Sequence, residues 1–345
     1  MDSPILLSVP NVSEGRDAAT ITEIGRAFTA EDGARPGAAG VDRSPGGDAG
    51  ASARLLDVHS DGDHHRSVFT LAGGTRALAD ALIRGGRAVV ERVDVVDSTG
   101  NEGDEPGQHP HVGALDVVPI VYLDLAARGA ALAAALLVAD RIGDELDVPV
   151  FLYGELTATA GVAGRTRAEL RRGGIARLAE RIEAAAHATA GSDGGVADAG
   201  SAPGALDPIR PDFGPARLHP SAGATLVAAR PPLVAFNLQL TPPATPADAS
   251  RIAGLIREGG PEGLPGLRAI GVTLAGQRPQ VSINVERPFD VPLALVVEAV
   301  GRYAGIDSVE LVGLAPRAAF DGFPQDIPMP GFDAARHVIE NAIGS

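Results

Sequence analysis

Two histidines at the end of a polar loop are the residues of this sequence best suited to proton transfer. His109 and His111 follow the glycine-rich, acidic stretch 100–108 and stand just before the apolar run 117–123. Such a run is typical of a buried strand, so a rigid element would hold the imidazoles in place. Histidine takes and returns a proton near neutrality because its ordinary pKa is about 6.5. Without further support, however, histidines in a polar loop are more often incidental.

A second polar cluster occupies residues 59–66, between two predicted strands. Its histidines and aspartates could ligate zinc or iron, but the adjacent His64 and His65 would point apart on an extended chain. The Asp-Gly pair equally suits a hairpin turn. A third interpretation is a hydrogen-bonding platform for an anion, with Arg66 as the fixed cation. The residue types leave these three interpretations open.

Other polar side chains interrupt segments that are otherwise apolar. Asp116 begins the strand after the histidines and could orient an imidazole, as could the acidic residues 104–105. Asn237 and Asn284 lie inside apolar runs, where a buried amide must be hydrogen-bonded. Each asparagine is therefore either a structural fastener or a ligand contact.

Composition narrows the chemistry that these groups could perform. The chain has 345 residues, no cysteine and no lysine, so its 29 basic residues are all arginine. Thiolate nucleophiles, Schiff-base lysines and the lysine of a phosphate-binding loop are thereby excluded. The net charge of −15 argues against a nucleic-acid partner. No apolar run approaches the roughly 20 residues of a membrane span and the start lacks a basic signal region, so we expect a cytoplasmic protein without membrane contact.

Hydrophobic periodicity predicts the elements that would position these groups. Strands are predicted at 5–9, 54–59, 67–72, 93–96, 117–123, 150–153, 225–240 (turning at Pro231-Pro232), 268–274, 280–285 and 308–314. Helices are predicted at 17–28 (capped by Ser13), 75–90, 126–146, 165–186 (broken at Gly173-Gly174), 247–258, 291–303 and 333–343. Both halves repeat the order strand–helix–strand–strand–helix–strand. This order favours an α/β protein of the α+β sandwich type, in which each of two subdomains has a mixed or antiparallel sheet with helices on one face.

Two tracts of small residues divide the chain. Residues 31–53 and 188–208 hold almost no large apolar side chains, so they cannot bury enough surface to offset the entropy of ordering. We interpret the first as a flexible insertion and the second as an interdomain linker. The predicted domains are 1–187 and 211–345, joined by 188–210, and a ligand is expected in the crevice between them.

Eight groups of short motifs, in order and spread over nearly the whole chain, resemble the formiminotransferase domain family. They occupy residues 9–15, 55–58 with 65–70, 109–119, 148–155, 212–215, 223–225 with 229–230 and 235–237, 281–284 and 310–316. The resemblance implies transfer of a formimidoyl group from N-formimidoyl-L-glutamate to N5 of tetrahydrofolate, a folate-dependent one-carbon step in histidine metabolism. It further implies a homodimer, tetrahydrofolate as co-substrate, no metal, and a monofunctional protein without a cyclodeaminase module.

The resemblance also assigns residues. His109 matches the catalytic base of the family, and His111 stands where the family has an arginine. The folate segment falls on Gly214, Pro215, Ala216, Arg217, Leu218, His219, Pro220, Ser221, Ala222 and Gly223. The predicted substrate-binding residues are Asn11, His59, Asp61, Arg66, His111, Asp116, Arg230, Asn237 and Asn284.

The implied reaction agrees with the residue types. Amidine transfer needs a base for the attacking N5 and an acid for the leaving glutamate nitrogen, and His109 could serve as both. Arg66 or Arg230 could bind a glutamate carboxylate bidentately. The alternatives are formyl transfer, a folate-binding module without transferase activity, and a metal-dependent hydrolase that would use His59, Asp61, His64 and His109.

Overall fold

Two compact units make up the described part of the chain. The computed structural model describes residues 4–30, 52–96, 110–190 and 207–344. The first unit comprises Met1–Leu55, His64–Ser67 and Leu71–Arg230, and the second comprises Leu56–Asp63, Val68–Thr70 and Pro231–Ser345. Most of the predicted insertion 31–53 and of the predicted linker 188–210 lies outside the described residues.

The division between the units falls later than the sequence predicts. The predicted second domain starts at residue 211, whereas the contacts keep residues 211–230 in the first unit. The reason is that the strand Thr225–Arg230 pairs with two strands of the first unit. Residues 211–230 are therefore reassigned to the first unit.

The first unit is built on a mixed sheet. Its strands are β1 (Leu6–Ser8), β2 (Asn11–Val12), β3 (Arg54–Asp61), β4 (Arg66–Gly73), β5 (Leu115–Val121), β6 (Val150–Leu152) and β7 (Thr225–Arg230). Residues 56–61 of β3 and 68–70 of β4 are counted with the second unit. β1 lies antiparallel to both β4 and β5, whereas β7 lies parallel to both β5 and β6. All seven residues of β5 are buried, and this strand pairs in parallel with β7 and antiparallel with β1 and β2.

Five α-helices lie in the described part of the first unit. They are α1 (Ala18–Thr29), α2 (Thr75–Arg92), α3 (Arg128–Leu146), α4 (Arg167–Arg171) and α5 (Gly174–Ala190). The predicted break between α4 and α5 is confirmed, with Gly173 at a φ of +80° that favours glycine. The predicted cap of α1 is wrong. The Asp17 carboxylate accepts the first backbone N–H groups of the helix, because Ser13 is held elsewhere.

The second unit has an antiparallel sheet in the order β11-β8-β10-β9. Its strands are β8 (Val234–Leu240), β9 (Leu267–Leu274), β10 (Arg278–Val285) and β11 (Ile306–Val312). Its helices are α6 (Pro246–Ile256), α7 (Leu293–Gly301), α8 (Ala334–His337) and α9 (Ile339–Gly344). Alternate strand residues such as Phe236 and Ile283 enter the apolar core, and the residues between them, such as Asn237 and Ser282, occupy the other face. The α+β class with two sheets is thus confirmed.

Three local predictions need correction. Residues 93–96 form no strand, since Val95 makes a single backbone bond to Ser221 rather than a ladder. The run 225–240 is not a hairpin, because β7 and β8 belong to different sheets. The last helix is split at Val338 into α8 and α9. In the parts of the chain that the structure describes, no helix is both long enough and apolar enough to cross a membrane.

Candidate functional site

The histidine motif and the glycine-rich segment meet in the first unit. Ala224 donates its backbone N–H to the carbonyl of Val112 over 2.9 Å, and Gly113 pairs with Gly223 as an antiparallel bridge. A Cβ on Gly113 would lie 1.9 Å from the Ala224 oxygen, and one on Gly223 would lie 2.4 Å from the Val112 oxygen. Only glycine fits at both positions, so this contact depends on two residues about a hundred positions apart.

His219 closes the glycine-rich segment into a turn. Its backbone exchanges two hydrogen bonds with Gly223, of 2.9 and 3.1 Å. Its ring Nδ1 accepts the backbone N–H of Ala222 at 3.0 Å and that of Ser221 at 3.3 Å. Burial lowers the pKa of the imidazole below its ordinary value. The ring is therefore a neutral group fixed by its own backbone.

Described residues on both sides of His109 form hydrogen bonds to the segment 219–224. Before it, Val95 donates its backbone N–H to the Ser221 oxygen at 2.9 Å, and after it Val112 accepts from Ala224. His109 itself lies outside the described residues, so the structure locates only its flanks. His111 is described and half-buried.

The Asp116 carboxylate is buried and makes its contacts within the protein. It is 1% exposed, and its Oδ1 accepts the backbone N–H of Val112 at 2.9 Å. Its Oδ2 forms an ion pair with Arg171, whose side chain is only 9% exposed. A carboxylate with both oxygens so engaged and so little exposed is poorly suited to contact a substrate. The sequence analysis assigned Asp116 to substrate binding. The structure instead favours a positioning role, because Asp116 binds the backbone N–H of Val112, three residues after His109.

The first motif of the chain packs beside the histidine motif. The Ser13 hydroxyl donates to the carbonyl of Gly113 at 2.8 Å, and the Gly15 N–H donates to Nδ1 of His65 at 3.1 Å. Three segments distant in sequence thus converge around Gly113.

The remaining predicted residues of the first unit have separate positions. The Asn11 amide donates to the carbonyl of Val9 at 2.9 Å, within its own turn. Arg66 begins β4, and Arg230 ends β7, where its carbonyl accepts the N–H of Tyr122 at 3.2 Å. Both arginines are half-buried.

In the second unit, Glu310 contacts two of the predicted site residues, His59 and Asn237, although Glu310 itself was not predicted. Glu310 Oε1 lies 3.3 Å from Nε2 of His59, and its Oε2 accepts the Asn237 amide at 2.8 Å. Burial by itself raises the pKa of Glu310, but the nearby His59 imidazole and the hydrogen bond from Asn237 outweigh it, so the net shift is downward. An acidic residue inside the apolar run 308–314 was the sequence signal that could have identified it.

The 59–66 cluster is a hairpin turn between β3 and β4. Asp61 accepts the backbone N–H of Asp63 at 2.8 Å, an arrangement typical of such turns. Asn284 is half-buried on β10. Across the described ranges, no three His, Asp or Glu side chains gather in a group able to hold a metal ion, so the hydrolase alternative gains no support there.

The Glu310 cluster predicts a pH dependence of stability. Because the folded-state pKa lies below the ordinary value of 4.5, ionised Glu310 contributes stability above that pH and loses it as pH falls through the folded-state pKa. We expect the difference in free energy of unfolding between wild type and Glu310→Gln to shrink as pH is lowered from 6 to 3. Urea denaturation at each pH measures it. Asn237→Ala should weaken the dependence, and a difference that grows toward acid pH would contradict the assignment.

Comparison with known proteins gives a consistent picture. The sequence profile of the formiminotransferase domain, N-terminal subdomain, matches residues 5–230, ending where the first unit ends. A glutamate formimidoyltransferase from Streptococcus pyogenes serotype M1 is 30% identical over 344 residues, which cover 98% of each chain. One from Thermoplasma acidophilum is 27% identical over 94% of this chain and 93% of its own. The formimidoyltransferase-cyclodeaminase of Sus scrofa is 32% identical over 92% of this chain but 51% of its own length, so the chain spans about half of that protein.

Proposed function

We propose, because this chain belongs to the formiminotransferase family, that it transfers a formimidoyl group from N-formimidoyl-L-glutamate to N5 of tetrahydrofolate. The products are 5-formimidoyltetrahydrofolate and L-glutamate. The observation that carries the proposal is the pairing of Gly113 with Gly223. This pairing joins the motif of the proposed base to the segment proposed for the co-substrate.

In the proposed reaction, N5 of tetrahydrofolate attacks the formimidoyl carbon while His109 takes the N5 proton. As the bond from carbon to N5 forms, the electrons of the C=N double bond move onto the imino nitrogen, and the tetrahedral centre carries three nitrogens: N5, the glutamate nitrogen and the former imino nitrogen. The C=N double bond then re-forms as the bond to the glutamate nitrogen breaks, and His109 returns the proton to that leaving nitrogen. One histidine thus serves as base and acid, a role that typically supplies about 10²- to 10⁴-fold in rate.

Charge guides the proposed recognition of the donor. Its glutamate carboxylates suit Arg66 and Arg230, since guanidinium binds carboxylate bidentately. His111 replaces a cationic residue of the family, so those two arginines would carry more of the anion binding. The further proposed substrate-binding residues are Asn11, His59, Asp61, Asn237 and Asn284.

Glu310 extends the proposed donor-binding set. An amidine is cationic at neutral pH, and an ionised carboxylate attracts it. Glu310 is suited to this part because its pKa is lowered and its side chain is 30% exposed. His59 and Asn237 would fix its orientation.

The family membership also supports two broader proposals. Tetrahydrofolate is the proposed co-substrate, bound along residues 214–223, and no metal is assigned a part in the transfer. We further propose a cytoplasmic homodimer active in histidine breakdown.

A direct assay tests the function. Purified protein is incubated with tetrahydrofolate and either N-formimidoyl-L-glutamate or N-formyl-L-glutamate, and the modified folate is separated and quantified. We expect 5-formimidoyltetrahydrofolate to form with the first donor, at a rate unchanged by a chelator. Folate binding without turnover would favour the binding-module alternative. Chelator-sensitive release of glutamate without tetrahydrofolate would favour the hydrolase.

A further inference from the structure

We propose that His219 is locked as a neutral imidazole with its proton on Nε2, so that it donates a hydrogen bond to bound folate and takes no part in proton transfer. The identity of the ligand rests on the proposed function, whereas the state of the ring rests on geometry alone. His109 and His219 thus have different tasks: His109 transfers the proton, and His219 donates a hydrogen bond to folate.

The hydrogen bonds at Nδ1 fix the tautomer of the His219 ring. Nδ1 of His219 receives the backbone N–H groups of Ala222 and Ser221, at 3.0 and 3.3 Å. A ring nitrogen accepts a hydrogen bond only when it carries no proton, so the proton of the neutral ring must be on Nε2. The Ser221 hydroxyl, 3.4 Å from the same nitrogen, is compatible with this assignment.

The second step is the rigidity of the donors. His219 and Gly223 exchange both backbone hydrogen bonds, and Gly223 is itself bridged to Gly113. The two N–H groups that face Nδ1 therefore cannot turn away without opening the turn. A proton on Nδ1 would face two N–H groups and lose both bonds.

The charged groups around the ring do not reverse this preference. Burial of the ring is the largest cause and lowers its pKa; Asp147 raises it, Arg217 lowers it and Asp94 raises it. Asp147 and Arg217 are themselves paired at 2.7 Å, so their fields largely cancel at the imidazole. Burial and the two backbone donors therefore both favour the neutral ring, and the pKa of His219 lies below its ordinary value.

The third step concerns the free end of the ring. Nε2 of His219 has no hydrogen-bond partner among the residues that the structure describes, and the ring is half-buried rather than sealed. A neutral Nε2–H is far too weak an acid to protonate a leaving amine, and Nδ1 has no lone pair left to accept a proton. What it can do is donate a hydrogen bond to an oxygen or nitrogen acceptor of the ligand.

The ring state is tested without substrate. The protein is labelled with ¹⁵N in its histidine rings, and the ring nitrogens are followed by NMR from pH 5 to 8, with assignment by His219→Asn. We expect a neutral Nε2–H ring at pH 7–8, with a titration midpoint below the ordinary value of 6.5. His187 is the internal control, because its Nδ1 lies 2.8 Å from the Glu183 carbonyl, which only accepts, so Nδ1 must carry the proton there. A neutral His219 ring with its proton on Nδ1, or a titration midpoint above 6.5, would overturn the proposal.

Kinetics test the task. His219→Asn keeps an oxygen near the Nδ1 position but removes the Nε2–H, whereas His219→Gln returns a donor near Nε2. We expect His219→Asn to raise KM for tetrahydrofolate about tenfold, the value of one hydrogen bond, while kcat and its pH profile stay unchanged. His219→Gln should recover part of the loss. A fall in kcat with a shifted acid limb would show proton transfer by His219 and refute the assignment. If wild type shows no transfer, the proposed function fails on its own; the NMR test is unaffected, and folate dissociation constants replace KM.

Discussion

His109→Ala will lower the transfer rate by at least about two orders of magnitude, because the variant has no group to take the N5 proton and return it to glutamate. The measurement is kcat with saturating tetrahydrofolate and N-formimidoyl-L-glutamate. The fold should be unaffected, since the flanks of this stretch are held by backbone bonds of Val95 and Val112. Circular dichroism and the thermal midpoint should therefore match wild type.

His187→Ala is the matched control for this loss. His187 is an exposed residue of α5 and belongs to none of the proposed sites. Its replacement should leave turnover within about twofold. Near-normal turnover in His109→Ala, with folate still bound, would remove His109 from the mechanism.

Asp116→Ala will lower the free energy of unfolding by about 3–5 kcal/mol, the usual effect of stranding one partner of a buried ion pair. Arg171 would keep its charge with a side chain only 9% exposed, and the N–H of Val112 would lose its acceptor. Urea denaturation measures the change. Turnover per folded molecule should fall less than stability does, since Asp116 positions the chain and does not touch substrate.

Two further variants separate burial from charge pairing. Glu180→Ala breaks the exposed pair with Arg177, at side-chain exposures of 54% and 40%, and should cost at most about 1 kcal/mol. The double replacement Asp116→Leu with Arg171→Leu should be milder than Asp116→Ala because no charge is stranded. A loss below about 1 kcal/mol for Asp116→Ala would show that water reaches this pair.

Elements with strong local periodicity were predictable from the sequence. The helix predicted at 75–90 is α2 (Thr75–Arg92), and the strand predicted at 117–123 overlaps β5 (Leu115–Val121). In the helix, apolar residues recur at helical spacing, and in the strand they form one continuous run typical of a buried strand. In these two segments the local sequence preference and the tertiary packing favour the same secondary structure.

The place of β7 was not predictable in this way. Its apolar residues continue past Pro231-Pro232 into β8, a pattern that resembles a hairpin with a proline turn. What decides otherwise is pairing with strands far back in the chain, such as Leu226 with Val117. No local pattern records that choice.

In the candidate site, too, local features were predictable from the sequence and long-range contacts were not. The residue types of the histidine motif led to the proposal of proton transfer, which stays a prediction, but they did not indicate that Gly113 would pair with Gly223. Asp116 was predicted to serve a ligand because its partner Arg171 is distant in sequence. Glu310 was overlooked because its significance comes from what two other strands bring to it.

The central position of β7 also governs how the protein must be made. During synthesis on the ribosome, β5 and β6 emerge with unpaired edges, and they gain their shared neighbour only once Arg230 has left the exit tunnel. A fragment ending at residue 187 would keep those edges open and prone to pairing with other chains. The first domain is therefore completed late in translation, by a strand that directly precedes the second domain.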